Sequence, residues 1–473
     1  MAKPTKRWFQ ESDLLEDAIG DAGQLSGASL PSPSSGGVLR GLLPPLFTVK
    51  PDTVNFNTFK AGHYDPASYY AALEGSDTVV LPLNQANADA IGYDATRTFQ
   101  AGLGNDTVTG GGLNDLIYGG HGNDRLYGNN GNDALLGGEG HDWLIGAKGN
   151  DLLWAGNGVD YVEAGAGNDI IVANEHDRVR LDVDEGSLSP MGDKMYTDRI
   201  LAGAGNDLIF ATSNDQVFGG NGDDRIELTD LVDYPGFEYI VGENGNDVII
   251  GSKHDDLIVT GNQWAFSEDW TVECKAAHGG FADTVISGAG NDEITTMMYC
   301  SATVDTGADN DIVYVLGMRD VITTGEGIDM VRLYGGACKA DLGAGDDFFV
   351  MSRAAFDNPA VSEITLGEGA DSVIFDTRRW LTTEGNYQPL SEAPWILDFD
   401  PGTDVISQIN VTNVDNIAAS LVPRYIYAVN ITGGSALIYD HPTRDTDDFC
   451  FARFAGVSAE TLQTSIEIHT TLI

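Results

Sequence analysis

The chain is short of positive charge. Its 25 lysine and arginine residues stand against 72 aspartate and glutamate, a formal net charge of −47 over 473 residues. Nucleic-acid binding needs basic patches, so nucleic acid is excluded as a partner, and so is direct adsorption to anionic lipid. Long apolar runs are missing too. No stretch approaches the roughly 18–20 apolar residues of a membrane helix, which argues against a membrane span. At the start, Lys3, Lys6 and Arg7 are followed by WFQESDLLEDAIGDAG, whose acids interrupt any apolar core of a cleavable signal peptide. The four cysteines (Cys274, Cys300, Cys338, Cys450) do not have zinc-site spacing. Core thiols, or a Cys274–Cys300 bridge, are the open readings. Neither an H-E-x-x-H zinc helix nor a G-x-S-x-G nucleophile elbow occurs. EHDRVR around His176 and GGSAL around Ser435 are no substitutes.

Glycine and aspartate are abundant, and they are ordered. From Ala101 to Val172 one nine-residue unit repeats eight times without a break: AGLGNDTVT, GGGLNDLIY, GGHGNDRLY, GNNGNDALL, GGEGHDWLI, GAKGNDLLW, AGNGVDYVE and AGAGNDIIV. Each follows Gly-Gly-x-Gly-x-Asp-x-U-x, where U is a large apolar residue. Eight aspartates keep step (Asp106, Asp115, Asp124, Asp133, Asp142, Asp151, Asp160, Asp169), and so do Val108, Ile117, Leu126, Leu135, Leu144, Leu153, Val162 and Ile171. A solvated acidic linker would share this composition, but it has no reason to hold an apolar register. Side chains alternate across a strand, so in x-U-x only U points inward, and the flanking positions accept Tyr118, Arg125, Trp143 and Glu163. Two copies make one coil of 18 residues. Asp106, Asp124, Asp142 and Asp160 therefore line one edge, and Asp115, Asp133, Asp151 and Asp169 the other. Leu113 replaces a glycine, so the second turn is expected to be distorted.

This pattern resembles the calcium-binding nonapeptide repeat of RTX (hemolysin-type) proteins. The resemblance implies an all-β fold: a parallel β-roll or β-solenoid with inserted loops and β-rich end caps. It also implies multiple calcium ions bound at the turns. Calcium takes six to eight oxygens from carboxylates and carbonyls, more than one turn supplies, so each ion is shared between turns.

The register continues beyond Val172. Asp207, Asp224, Asp247, Asp292, Asp329, Asp347 and Asp371 stand in turns close to Gly-x-Gly-x-Asp and join the first eight as expected calcium ligands. Asp256, Asp283, Asp311 and Asp320 also return in phase. HGGFAD (Asp283) and VLGMRD (Asp320) read as turns without metal, and Cys338 stands at an Asp position. Loops are expected near 178–199, 228–241, 260–277 and 351–363. His121, His141 and His254 occupy variable turn positions and are expected to be solvated.

Four regions follow: a flexible tail (1–50) ending in the LPSPSSGG and GLLPPLF linker, a cap (51–100), the roll (101–376) and a C-terminal β cap (377–473). GSD at Asp77 reads either as a calcium ligand or as a plain turn. WILDFDPGTDVISQI resembles a recurrent segment near the end of exported RTX proteins, with strands following around 425–439 and 447–456. There Asp398, Asp400 and Asp404 form a calcium site or a surface turn. The resemblance further implies an uncleaved C-terminal secretion signal, a type I ABC exporter as partner, and a secreted, extracellular or cell-surface location. With the roll occupying nearly everything after residue 50, the chain is read as not an enzyme. It is either a free calcium-binding protein that binds partners or a self-assembling surface-layer, adhesin or virion-decorating subunit. A catalytic site in the inserted loops, such as WAFSEDW (264–270), is the remaining alternative.

Overall fold

One inward apolar residue per nine can be buried only if the chain turns after every copy, so that successive U side chains stack. The computed structural model shows this stack. It describes residues 45–58, 62–173, 198–212, 215–228, 238–261, 282–296, 301–317, 319–334, 338–351, 362–376, 393–410, 426–439 and 449–464, all within the unit Pro44–Ile473. Alternate strands join two parallel sheets. The first has 16 strands among the described residues, from Thr53–Asn55 to Val405–Asn410. In it Thr107 pairs with Arg125, and Arg125 with Trp143, one coil of 18 residues each time. The second runs from Phe99–Leu103 to Trp395–Ile396 with the same register. The helical content is small, as an all-β roll requires.

The two sheets enclose a column of aliphatic side chains. Val108, Leu126, Leu144 and Val162 face Ile117, Leu135, Leu153 and Ile171, all fully buried. Full burial of each stabilises by about 1.5–3 kcal/mol. The column continues through Ile200, Ile226, Ile249, Ile294, Val331 and Val373. It survives the loop positions because each return restores the same parallel partner: Val162 pairs with Ile200 across 38 residues.

The coil begins earlier than the sequence suggested. Within the expected cap (51–100), Thr53–Asn55 and Thr78–Val80 are regular parallel members of the first sheet. Phe56, Tyr69 and Tyr93 close that end, with Phe56 edge-on to both tyrosines at 5.6 and 5.2 Å. The helix Gln85–Ile91 lies beside them, capped by the Asn84 side chain and ended by Gly92 at φ 77°. At the far end Phe449–Ala455 pairs in parallel with Trp395–Ile396. It then carries Gly434–Tyr439 and Ile426–Ile431 as an antiparallel meander, and Phe399 packs edge-on against Phe454 at 5.2 Å.

Two loop boundaries also move. Arg199–Ala204 and Glu238–Asn244, which the loops expected near 178–199 and 228–241 overlap, are strands of the first sheet. The remaining loop positions, the tail, and Cys274, Cys300, His176 and WAFSEDW fall largely or wholly outside the described residues.

Candidate metal centre

A carboxylate placed at every turn, in strict step, must meet its counterpart one coil away. Along one edge the Asp106 amide N–H donates to Asp124 Oδ1 at 2.7 Å, Asp124 to Asp142 at 2.8 Å and Asp142 to Asp160 at 2.7 Å. Along the other edge Asp115 donates to Asp133 at 2.8 Å, and Asp133 to Asp151 and Asp151 to Asp169 at 2.7 Å. That second ladder runs on through Asp207, Asp224 and Asp247 to Asp283. The first resumes at Asp256 and passes Asp292, Asp311, Asp329, Asp347 and Asp371 to Asp404. All fifteen aspartates expected to bind calcium are rungs of these two ladders.

Many rungs use one oxygen and leave the other. Oδ2 is buried without a hydrogen-bond partner in Asp106, Asp124, Asp133, Asp142, Asp151, Asp169, Asp207, Asp224, Asp247, Asp329, Asp347 and Asp371. In Asp115 the orphan is Oδ1, because Gly111 N–H donates to Oδ2 at 2.8 Å. Burial drives these carboxyls upward: Asp124 to about 7 and Asp224 and Asp247 to about 8, the N–H of the preceding rung only partly offsetting it. A buried anion without a counter-charge costs several kcal/mol. A cation removes that cost.

The space fits an oxygen-seeking ion. A methyl group placed on Gly119 would lie 2.5 Å from Asp124 Oδ2 and 2.6 Å from the Gly137 carbonyl oxygen of the next coil. Gly219 has the same relation to Asp224 Oδ2 and the Gly242 carbonyl, both at 2.7 Å. Two oxygens from different coils thus converge where glycine leaves room. Among the described residues no three His, Cys, Asp or Glu side chains converge on one point, so backbone carbonyls have to complete any donor set. Such sets suit a hard cation such as calcium. When bound, the ion supplies the positive charge that these carboxylates lack.

Other turns saturate their carboxylate with protein donors. Asp320 accepts from Thr296 Oγ1 at 2.7 Å and from Ala302 N–H at 2.9 Å, and Asp283 accepts from Asp247 N–H at 3.1 Å. These are the HGGFAD and VLGMRD turns. After Asp283 the second edge carries Ala302, Asp320 and Cys338. Cys338 is buried, and burial with the nearby Asp320 charge pushes its thiol up to about 12. Asp398, Asp400 and Asp404 do not converge. Asp398 accepts from Leu366 and Gly367 N–H, Asp400 from Gly402 N–H, and Asp404 from Asp400 and Asp371 N–H. The histidines are engaged rather than merely solvated: His121 pairs with Glu139, and His141 Nδ1 accepts from Val159 N–H, both at 2.8 Å.

Sequence reading missed several rungs. Asp198 and Asp215 stand in the first ladder but lack preceding glycines; the spacing to Ile200 and Val217 was the signal. Asp77, read as a ligand or a plain turn, and Asp311, read as in phase, were not missed, and both bury an orphan Oδ2. Asn at the fifth position is a ladder of its own. Asn105, Asn132 and Asn150 Oδ1 accept from the N–H of Asn123, Asn150 and Asn168, one coil on.

The model of one protein family, the RTX calcium-binding nonapeptide repeat (4 copies), matches residues 100–135, 136–171, 196–226, 234–263 and 279–296. No curated protein matches the chain. The matched segments follow the two ladders through their glycine turns, and the first ladder and the apolar column extend past them in either direction. The matched segments between residues 100 and 296 carry the RTX calcium-binding nonapeptide repeat.

Proposed function

We propose that this is an extracellular calcium-binding RTX protein whose roll folds on binding several ions and which serves as a non-enzymatic binding or surface-structural protein. One observation carries the reading: rung after rung buries a carboxylate oxygen that no protein group satisfies. The ions are assigned to the turns of Asp106, Asp115, Asp124, Asp133, Asp142, Asp151, Asp160, Asp169, Asp207, Asp224 and Asp247, and to Asp292, Asp329, Asp347 and Asp371 on the first edge. Carboxylate and carbonyl sites in extracellular modules work at about 10⁻⁴–10⁻³ M calcium, which supports a location outside the cell and export before folding. The non-enzymatic part is supported by Ser435, whose hydroxyl is buried inside a strand with no hydrogen-bond partner among the described residues. Calorimetric titration of chelator-treated protein with calcium tests the reading. Uptake of many ions per chain, coupled to a large heat of ordering, is expected. Uptake of one ion or none contradicts it.

A further inference from the structure

The outer faces of the two sheets differ. On the first, Arg125, Glu163 and Arg199 stand beside the inward residue of their strands. On the second, successive strands from Leu116–His121 to Leu208–Ala211 place only hydrophobic side chains at both flanking positions. Leu152 with Trp154 and Leu208 with Phe210 are two of these pairs, and the parallel register holds them in two files. The next strand carries Arg225 and Glu227, joined to each other as an ion pair. The flanking positions of the following two strands are uncharged again and end at Ile286. Ile170 is 37 % exposed and Ile286 44 %. A contiguous exposed apolar strip of this kind marks an interaction surface.

We propose that this face packs on the same face of a second copy of the chain, the two rolls lying face to face about a twofold axis that runs along the roll. Three observations name that occupant. Copies of net charge −47 repel one another, and this strip lets them approach without setting acid against acid. Rotation about such an axis lays each strand antiparallel on its own copy, so the two files exchange. Leu152 meets Trp154 of the other copy and Leu208 meets Phe210, a smaller side chain against a larger one each time. The same rotation sets Arg225 on Glu227 and Glu227 on Arg225, so the charged row is self-complementary, as an isologous contact requires. An axis along the strands would instead set Arg225 on Arg225. Strands ~4.8 Å apart give a strip of roughly 38 by 13 Å from Leu116 to Ile286, about 500 Å² a side. Two sides reach the ~1,000 Å² at which specific association begins, the size of a reversible dimer. The proposal rests on the reading of the chain as a folded, calcium-loaded roll.

The test is sedimentation velocity of the calcium-loaded full chain across a wide concentration range. Circular dichroism on the same samples verifies the folded roll, so failure of the calcium reading shows itself independently. A monomer–dimer equilibrium is expected, weakened about tenfold or more by Arg225→Glu and by Glu227→Arg, each of which sets like charges opposite one another. An equimolar mixture of these two variants should regain the dimer, because each then faces its opposite charge; an ion pair within one chain cannot produce that rescue. Trp154→Ala should weaken the dimer as well, while Trp143→Ala, on the other sheet, should leave it unchanged. A folded roll that stays monomeric, assembles without passing through a dimer, ignores the substitutions on this face, or shows no rescue on mixing overturns the proposal.

Discussion

Aspartate at the sixth position does two things at once, and substitution separates them. Asp124 Oδ1 accepts the Asp106 N–H, and Oδ2 holds a buried charge. Asp124→Asn keeps an acceptor and deletes the charge, so calorimetry should show fewer calcium ions bound and a higher calcium requirement for folding. Asp320→Asn should leave the stoichiometry unchanged, because Thr296 and Ala302 already satisfy that carboxylate; equal effects at the two sites would refute the division of turns. Acidity gives a second test. The folded-state pKa of Asp124, Asp224 and Asp247 is raised to about 7–8, so the folded chain holds protons that the unfolded chain releases near pH 4. Their contribution to the stability of the calcium-free roll is complete below about pH 4 and is lost as pH rises to about 8. Strand content in chelator, followed by circular dichroism, should increase as pH falls from 8 to 5. The aspartates were legible because they never leave the nine-residue step; Asp198 and Asp215 were not, because their turns lost the glycines that advertised them.

At the scale of the turn, the second-position residue decides how closely two coils approach. Gly138 sits at φ 117°, and a Cβ there would strike the Gly120 carbonyl oxygen of the preceding coil. Gly138→Ala should destabilise the calcium-loaded roll by more than about 1–2 kcal/mol, the cost of a left-handed L-residue alone. Ala147 already bears that strain at φ 79°. Relief less the entropy cost of glycine makes Ala147→Gly a gain of about 0.5–1 kcal/mol, visible as a higher melting temperature; a lower one would contradict this account of the turn. The strands were readable from Val108, Ile117 and their successors because a period of two needs only three residues. Arg199–Ala204 and Glu238–Asn244 were hidden since the chain re-enters the sheet without a glycine turn, and only the parallel pairing of Arg199 with Tyr161 and of Tyr239 with Gln216 identifies them.

For the whole molecule, the two edges differ. Among the described residues, orphan carboxylate oxygens occur on both edges as far as Asp247, but beyond Asp283 only on the first edge, at Asp311, Asp329, Asp347 and Asp371. On the second edge Thr296, Ala302, Asp320 and Cys338 close the turns with protein atoms alone. The later coils should accordingly need less calcium than the earlier ones. Hydrogen exchange at sub-saturating calcium should show slower exchange around 301–351 than around 101–172. Export belongs to this scale as well: with a matching type I exporter, removal of residues from about 420 onward should leave the protein inside cells, while removal of residues 2–40 should not. The central claim is that calcium, rather than the apolar column alone, holds the roll together, since a ladder of buried, uncompensated carboxylates opposes its own coil. Far-UV circular dichroism of the full chain at neutral pH, first in excess chelator and then through a calcium titration to millimolar concentration, tests it most directly. A disordered spectrum converting cooperatively to a strand-rich one is the predicted result; an unchanged, strand-rich spectrum in chelator would contradict it.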